Sequence, residues 1–142
     1  MHDTLSEQDA KPLSWPWIVG LSLAGLMMGL LTSLVGMPQG VEFSVWMGCY
    51  VVWLVLVVWQ QLRPFVTLLV ASVLSGVWTG TTQYLLRDHY VANNPWYADQ
   101  IAEQGGVSAP AVIGFALVAG TVFGLVLGGG AWAVTRFRAR KS

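Results

Sequence analysis

The residues best placed to do chemistry sit on the third of four apolar stretches in this chain. Ser72, Ser75, Thr79, Gln83 and Arg87 recur every three or four positions. On a helix that spacing puts them within roughly 60° of one direction, with Leu74, Trp78 and Leu85 opposite. The stripe becomes more polar toward Arg87. It can line a wet crevice that admits a small polar solute, and Glu42 then completes a candidate polar pathway with these five residues. It can equally serve packing, with Ser and Thr hydroxyls bonded to carbonyls a turn back or to neighbouring helices. Gln83 and Arg87 then reach an interface by extending their polar ends. Ion or proton transport is better served by an ionisable residue at mid-span, and no apolar stretch has one. Glu42 falls at the start of the second stretch, where the helix dipole favours an anion. A meeting of Glu42 with Arg87 would make a gate or a latch, which the sequence leaves open.

The remaining reactive groups are isolated. His89 follows Asp88 in "RDHY", which suits an acid–base pair or a pH sensor, but no motif ties a nucleophile to it. Cys49 is the single cysteine; mid-span, it reads as a small inert apolar side chain. His2 and His89 lie outside the apolar stretches, so no haem ligand remains within them, and no Cys/His cluster has metal-site spacing. Trp46, Tyr50 and Trp53 share one face of the second stretch and can hold a lipid tail, a quinone or a partner helix, or simply pack. The expectation is therefore no catalytic, cofactor-binding or metal-binding residue, no cofactor, and no enzyme.

These side chains are carried by an unusually greasy chain. Its 142 residues are 55% hydrophobic and 10% charged, against about 25% charged in a typical soluble domain. The charges flank four apolar segments: Pro16 to Gly36, Phe43 to Leu62, Phe65 to Leu86 and Ala109 to Thr135. Each is long enough, at about 20 residues or more, to cross a hydrocarbon core of ~30 Å. None has the charged face that a soluble helix turns to water. The fold class expected is all-α: a polytopic membrane protein of four transmembrane helices in an up-down bundle. The single domain comprises a tail over 1–14, spans at about 16–36, 43–62, 65–86 and 109–135, an outer loop over 87–108, and a basic tail over 136–142. The acidic lead-in with Asp3, Glu7 and Asp9 against Lys11 has the wrong sign for a signal peptide, so the first segment reads as a retained helix.

Four spans put Lys11, Arg63, Arg136, Arg138, Arg140 and Lys141 on one side and only Arg87 on the other. The positive-inside rule then makes both termini cytoplasmic, in a bacterial-type inner membrane. The formal net charge of zero gives no reason to expect nucleic acid. Ser14 is a plausible N-cap with Pro16 in the first turn, and "GMPQGVE" and "QQLRP" read as tight returns. In the outer loop, Asn94 can cap, Pro95 can start and Gly105 can end a short interfacial helix. Trp96 and Tyr97 would lie at headgroup level, with Tyr97 and Ile101 on one face and Asp99 and Glu103 on another. Ser108 can cap the last span.

Small residues recur four apart on three spans. The first has Gly25, Gly29 and Ser33, with Ser22 and Gly36 nearby; the third has Ser72, Gly76 and Gly80; the fourth has Ala116, Gly120, Gly124 and Gly128. In lipid no hydrophobic force draws helices together, and such strips let backbones approach. The first, third and fourth spans are therefore expected to pack tightly, with the Val-, Leu- and Trp-rich second span outside them or against a partner subunit.

The stretch "VLSGVWTGTTQYLLRDHYVANNPWYADQI", followed by "GTVFGLVLGGG" and a basic end, resembles a bacterial membrane-protein family known only as a domain of unknown function. The likeness covers the C-terminal half, through Gly76, Gly80, Tyr90, Asn94 and Pro95. It implies four helices, a glycine-bearing third helix leading to a Tyr and an Asn-Pro loop, and a glycine-rich fourth helix; it implies no activity. The expected function is a non-enzymatic structural or accessory subunit, with membrane lipid and either itself or another membrane subunit as partners. The alternative is a small oligomeric channel or transporter lined by the third-span stripe.

Overall fold

Each apolar segment folds as one helix, long and apolar enough to cross a membrane. The computed structural model describes residues 13–103, 105–106 and 108–139. Lys11, Arg140 and Lys141, and the side chains of Asp99, Ile101 and Arg138, lie outside the described residues, and so do the charge and loop-face expectations placed on them. Among the described residues all regular structure is helical: α1 (Trp15–Leu34), α2 (Gln39–Trp59), α3 (Pro64–Leu85), α4 (Arg87–Asn93), α5 (Pro95–Glu103) and α6 (Ala109–Ala139).

Local chemistry sets most of these boundaries. Pro16 occupies the first turn of α1, where its missing N–H removes no helical bond. Ser14 accepts the Ile18 N–H through its carbonyl at 3.1 Å, but its side chain makes no capping bond. Its backbone (φ −86°, ψ 87°) falls short of the extended geometry from which a hydroxyl reaches the first free amides. α1 closes with the Gly36 N–H on the Leu31 carbonyl at 3.2 Å, and the φ of +74° at Gly36 turns the following chain away from the helix.

α2 begins at Gln39, four residues before the expected Phe43. Pro38 accepts the Val41 and Glu42 amides at 2.9 and 3.1 Å, so Gln39 to Glu42 form a first turn rather than a return loop. Counting apolar residues misses such a turn, because a helix N-terminus tolerates polar side chains and favours an acidic one. The loop also holds a helix that the sequence reading lacked. Leu86 interrupts α3, and Arg87–Asn93 continues as α4. α6 runs 31 residues, four past the expected Thr135.

α3 is the axis of the packing. α1 and α6 each lie along it, with α3 between them, rather than against one another. The positions where α1 and α3 meet rise together along both helices: Ile18 and Leu68 share a buried cluster, Gly25 faces Ser75, and Gly29 faces Thr79 and Thr82. Those of α3 and α6 run in opposite senses, with Gly80 near Val112 and Ala116, Gly120 near Ser72, Gly124 near Leu69, and Gly128 near Phe65. The two seams occupy adjoining faces of α3, one through Leu68, Ser75, Thr79 and Thr82, the other through Phe65, Leu69, Ser72, Gly76 and Gly80.

α2 is attached differently. Its Tyr50, Trp53 and Val57 are buried with Ile18, Leu21, Leu68, Ala71 and Ala131 in one apolar cluster. That cluster lies at the end of the bundle where α1 and α3 begin and α6 finishes. Tyr50 holds three other rings around it, with centroids 5.5 Å from Trp46, 5.5 Å from Trp53 and 5.2 Å from Phe123 on α6. Tyr50 and Trp53 of this face are thus spent on packing, while Trp46 stays half-buried. Toward its start α2 buries nothing: Val41, Phe43 and Ser44 are exposed and Glu42, Val45, Trp46 and Met47 half-buried.

Candidate functional site

The polar stripe of α3 faces protein. Ser72, Ser75 and Thr79 are 2%, 1% and 9% exposed, and none of Ser72, Ser75, Thr79 and Gln83 lines the hollow beside Trp132 and Arg136 or the one beside Glu42 and Tyr97. The reason is the small-residue approach on each side. A methyl built on Gly25 would collide with the Ser75 carbonyl, and one built on Gly120 would stand 2.6 Å from the Ser72 carbonyl oxygen. Backbones that close leave no room for water between them. The hydroxyl of Thr79 shares its one proton between the Ser75 carbonyl, a turn back, and the Gly25 carbonyl of α1, each at 2.9 Å. Gln83 Nε2 donates to Thr32 Oγ1 at 3.1 Å, and Thr32 in turn donates to the Met28 carbonyl at 2.8 Å. Ser72 Oγ and Ser75 Oγ have no partner. In a tight seam a serine costs less than a bulkier residue even with its hydroxyl unpaired.

The Thr79–Gly25 bond gives a measurable expectation. Thr79→Val keeps the shape and removes the interhelical bond, and should lower stability by ~0.6 to ~1.7 kcal/mol, the range for such bonds in membranes. Thr79→Ser should retain most of it. Detergent melting of both variants checks the difference.

Glu42 and Arg87, the charged ends of the candidate pathway, do not join the stripe or each other. Arg87 Nε lies 3.8 Å from Asp88 Oδ1 and its guanidinium sits 5.5 Å from the centre of the Tyr84 ring. Glu42 lines a hollow of about 560 Å³ together with Gly40, Phe43, Trp46 and Tyr97. His89 is exposed on α4 and Cys49 half-buried on α2. Among the described residues no three His, Cys, Asp or Glu side chains gather closely enough to hold a metal ion.

The residues that organise this end are two asparagines whose roles the sequence did not disclose. Asn94, expected to cap α5 with its side chain, leaves that to its carbonyl, which accepts the Tyr97 N–H at 3.0 Å. Its side chain, 1% exposed, instead donates to the carbonyls of Thr32 (2.8 Å) and Tyr90 (2.7 Å) and accepts the Met37 N–H (3.3 Å). Asn93 Nδ2 donates to the carbonyls of Ser33 (2.8 Å) and Leu34 (3.1 Å). Together they satisfy the last carbonyls of α1, which a helix end otherwise leaves unpaired. Gly36 makes room, since a methyl there would strike the Asn93 carbonyl. No local signal marks this, because the bonded residues lie 57 to 62 positions apart.

Tyr90 and Tyr97 stack at 6.2 Å between ring centres. Burial pushes both hydroxyls above the ordinary tyrosine value, and the Glu42 charge pushes the same way. The folded chain therefore holds these protons longer than the unfolded chain. Stability is unaffected below pH ~10, where an unfolded tyrosine begins to ionise, and falls as pH rises beyond it. The melting temperature should drop above that pH, and Tyr90→Phe should flatten the drop.

No known protein family, curated protein or solved structure matches the chain. The resemblance carried by Gly76, Gly80, Tyr90, Asn94 and Pro95 therefore brings no family assignment, and function rests on the geometry.

Proposed function

We propose that this is a four-pass integral protein of a bacterial-type inner membrane that acts without catalysis, as a structural or accessory subunit. The helices thread the bilayer as an up-down bundle with both termini cytoplasmic, and α5 lies at the outer interface with Trp96 and Tyr97 at headgroup depth. One observation carries the reading: the hydroxyls and amide best suited to conduct a polar solute are turned into the α1–α3 and α3–α6 seams. A chain that closes its polar residues between backbones is built to hold a shape. Its partners are lipid and either a second copy or another membrane subunit, which the broad apolar outer faces of α2 and α6 can meet.

Two measurements test this. Cysteines at Ser142 and Glu103, in a chain with Cys49 replaced by Ala, should react with an impermeant thiol reagent from opposite sides of the membrane; labelling from one side refutes the threading. Purified protein in liposomes should pass no small polar solute above the protein-free rate. A flux abolished by Thr79→Leu or Gln83→Leu would replace the accessory role with transport along α3.

A further inference from the structure

The hollow at the start of α2 has the composition of a cation site. Its walls are Phe43 and Trp46 from α2 and Tyr97 from α5, and Glu42 is the carboxylate among its lining residues. Tyr90 stacks behind Tyr97, extending the aromatic wall. The Glu42 carboxylate is half-buried and has neither an ion pair nor a hydrogen bond among the described residues. The nearest described arginine on that loop, Arg87, is engaged by Asp88 and the Tyr84 ring. The start of α2 favours this anion, and without a protein partner its half-buried charge is available to a cation. Aromatic faces around it add attraction for a positive charge that carries alkyl groups, because the ring quadrupole favours cations that shed their water readily. A small hydrated metal ion would want several oxygen ligands; this hollow offers one carboxylate and rings.

The hollow opens where α2 leaves the bundle. Tyr50, Trp53 and Val57 anchor the helix, with Trp46 and Met47 packed against them, while the opening turn from Gly40 to Phe43 shares the hollow with Tyr97 of the loop. The space is about 560 Å³ and broadly open, so a cation seated in it keeps one side outside the protein. We propose that this hollow binds an alkylammonium cation, with Glu42 as counter-ion and Phe43, Trp46 and Tyr97 as its aromatic walls. The cation is either a free solute or the headgroup of a lipid, since the same group is presented by both. The site goes beyond the accessory role and does not depend on it.

The test titrates detergent-solubilised protein with choline and with its neutral isostere 3,3-dimethyl-1-butanol by calorimetry. A parallel arm incorporates the protein in nanodiscs of phosphatidylglycerol with or without phosphatidylcholine and counts retained lipid by native mass spectrometry. Choline should bind at least tenfold more tightly than the isostere, or phosphatidylcholine should be retained over phosphatidylglycerol. The first result assigns the site to a solute, the second to a lipid headgroup. Either preference should fall at least tenfold in Glu42→Gln and weaken in Trp46→Leu. Glu42→Gln removes no described bond, so its melting temperature should match the parent and separate lost binding from lost folding. Equal binding of choline and isostere with no lipid preference, or a preference untouched by Glu42→Gln, overturns the proposal.

Discussion

Leucine at Gly76 is expected to prevent assembly of the bundle, while leucine at Gly48 or Gly114 is expected to be tolerated. A side chain at Gly76 starts against the Ala116 carbonyl of α6, whereas nothing stands within 4 Å of Gly48 or Gly114. Backbone cannot rotate aside as a side chain can, so the two helices must separate. Overpacking ordinarily costs about 1–3 kcal/mol, and the cost here falls on the seam that the whole of α3 shares with α6. A graded series follows from the distances. A methyl at Gly120 would stand 2.6 Å from the Ser72 carbonyl oxygen, one at Gly128 2.9 Å from the Phe65 oxygen, and one at Gly124 3.0 Å from Leu69 Cα. Detergent melting should therefore rank Gly76→Leu and Gly120→Leu as the most damaging, Gly128→Leu and Gly124→Leu next, and exposed Val126→Leu as neutral. Equal tolerance at Gly76 and Gly114 would mean that the close approach of α3 and α6 does not exist.

Asn94→Leu is expected to be the most damaging change outside the spans. The side chain closes three hydrogen bonds from one buried point. Leucine fills a similar volume and leaves the Thr32 carbonyl and the Met37 amide without partners, at roughly 1–3 kcal/mol for each buried group stranded. A loss of about 3 kcal/mol is expected, concentrated where α1 ends and the α4–α5 loop begins. Asn94→Asp should fare little better. It keeps an acceptor for Met37 but turns oxygen toward the Thr32 and Tyr90 carbonyls, where the amide donated. Asn93→Ala, at a half-buried position, should cost less. Hydrogen exchange over residues 87–103 measures all three variants, with rapid exchange in Asn94→Leu and near-parental protection in Asn93→Ala.

The four long helices were legible because lipid imposes a length and a composition that few other environments demand. Their ends were less so. Gln39 and Gly40 open α2 under the direction of Pro38, a signal that an apolar count discards. α4 escaped notice because "RDHYVAN" has no apolar period and too few residues to show one. The spacing of Gly25, Gly29, Gly76 and Gly80 could be read as faces open to close approach, but not as particular partners. Gly25 meets a serine carbonyl rather than another glycine. Nor could the sequence say that α1 and α6 both seat on α3. The candidate pathway divided along physical lines. Ser72, Ser75, Thr79 and Gln83 share a helix face and therefore stay together, whereas Glu42 and Arg87 belong to α2 and α4, and Arg87 is taken up by its neighbours Asp88 and Tyr84. The Asn93 and Asn94 contacts were illegible for the same reason, being products of the assembled bundle rather than of any local pattern.

The central claim is that the polar face of α3 is closed between helices and dry. Single cysteines at Ser72, Ser75 and Thr79, in a chain with Cys49 replaced by Ala, can be offered a small water-borne thiol reagent in native membranes. The expected result is no modification at any of the three until the membrane is solubilised and the protein unfolded. Modification in the intact membrane at a rate near that of a cysteine at exposed Glu103 would show a hydrated path along α3 and contradict the account.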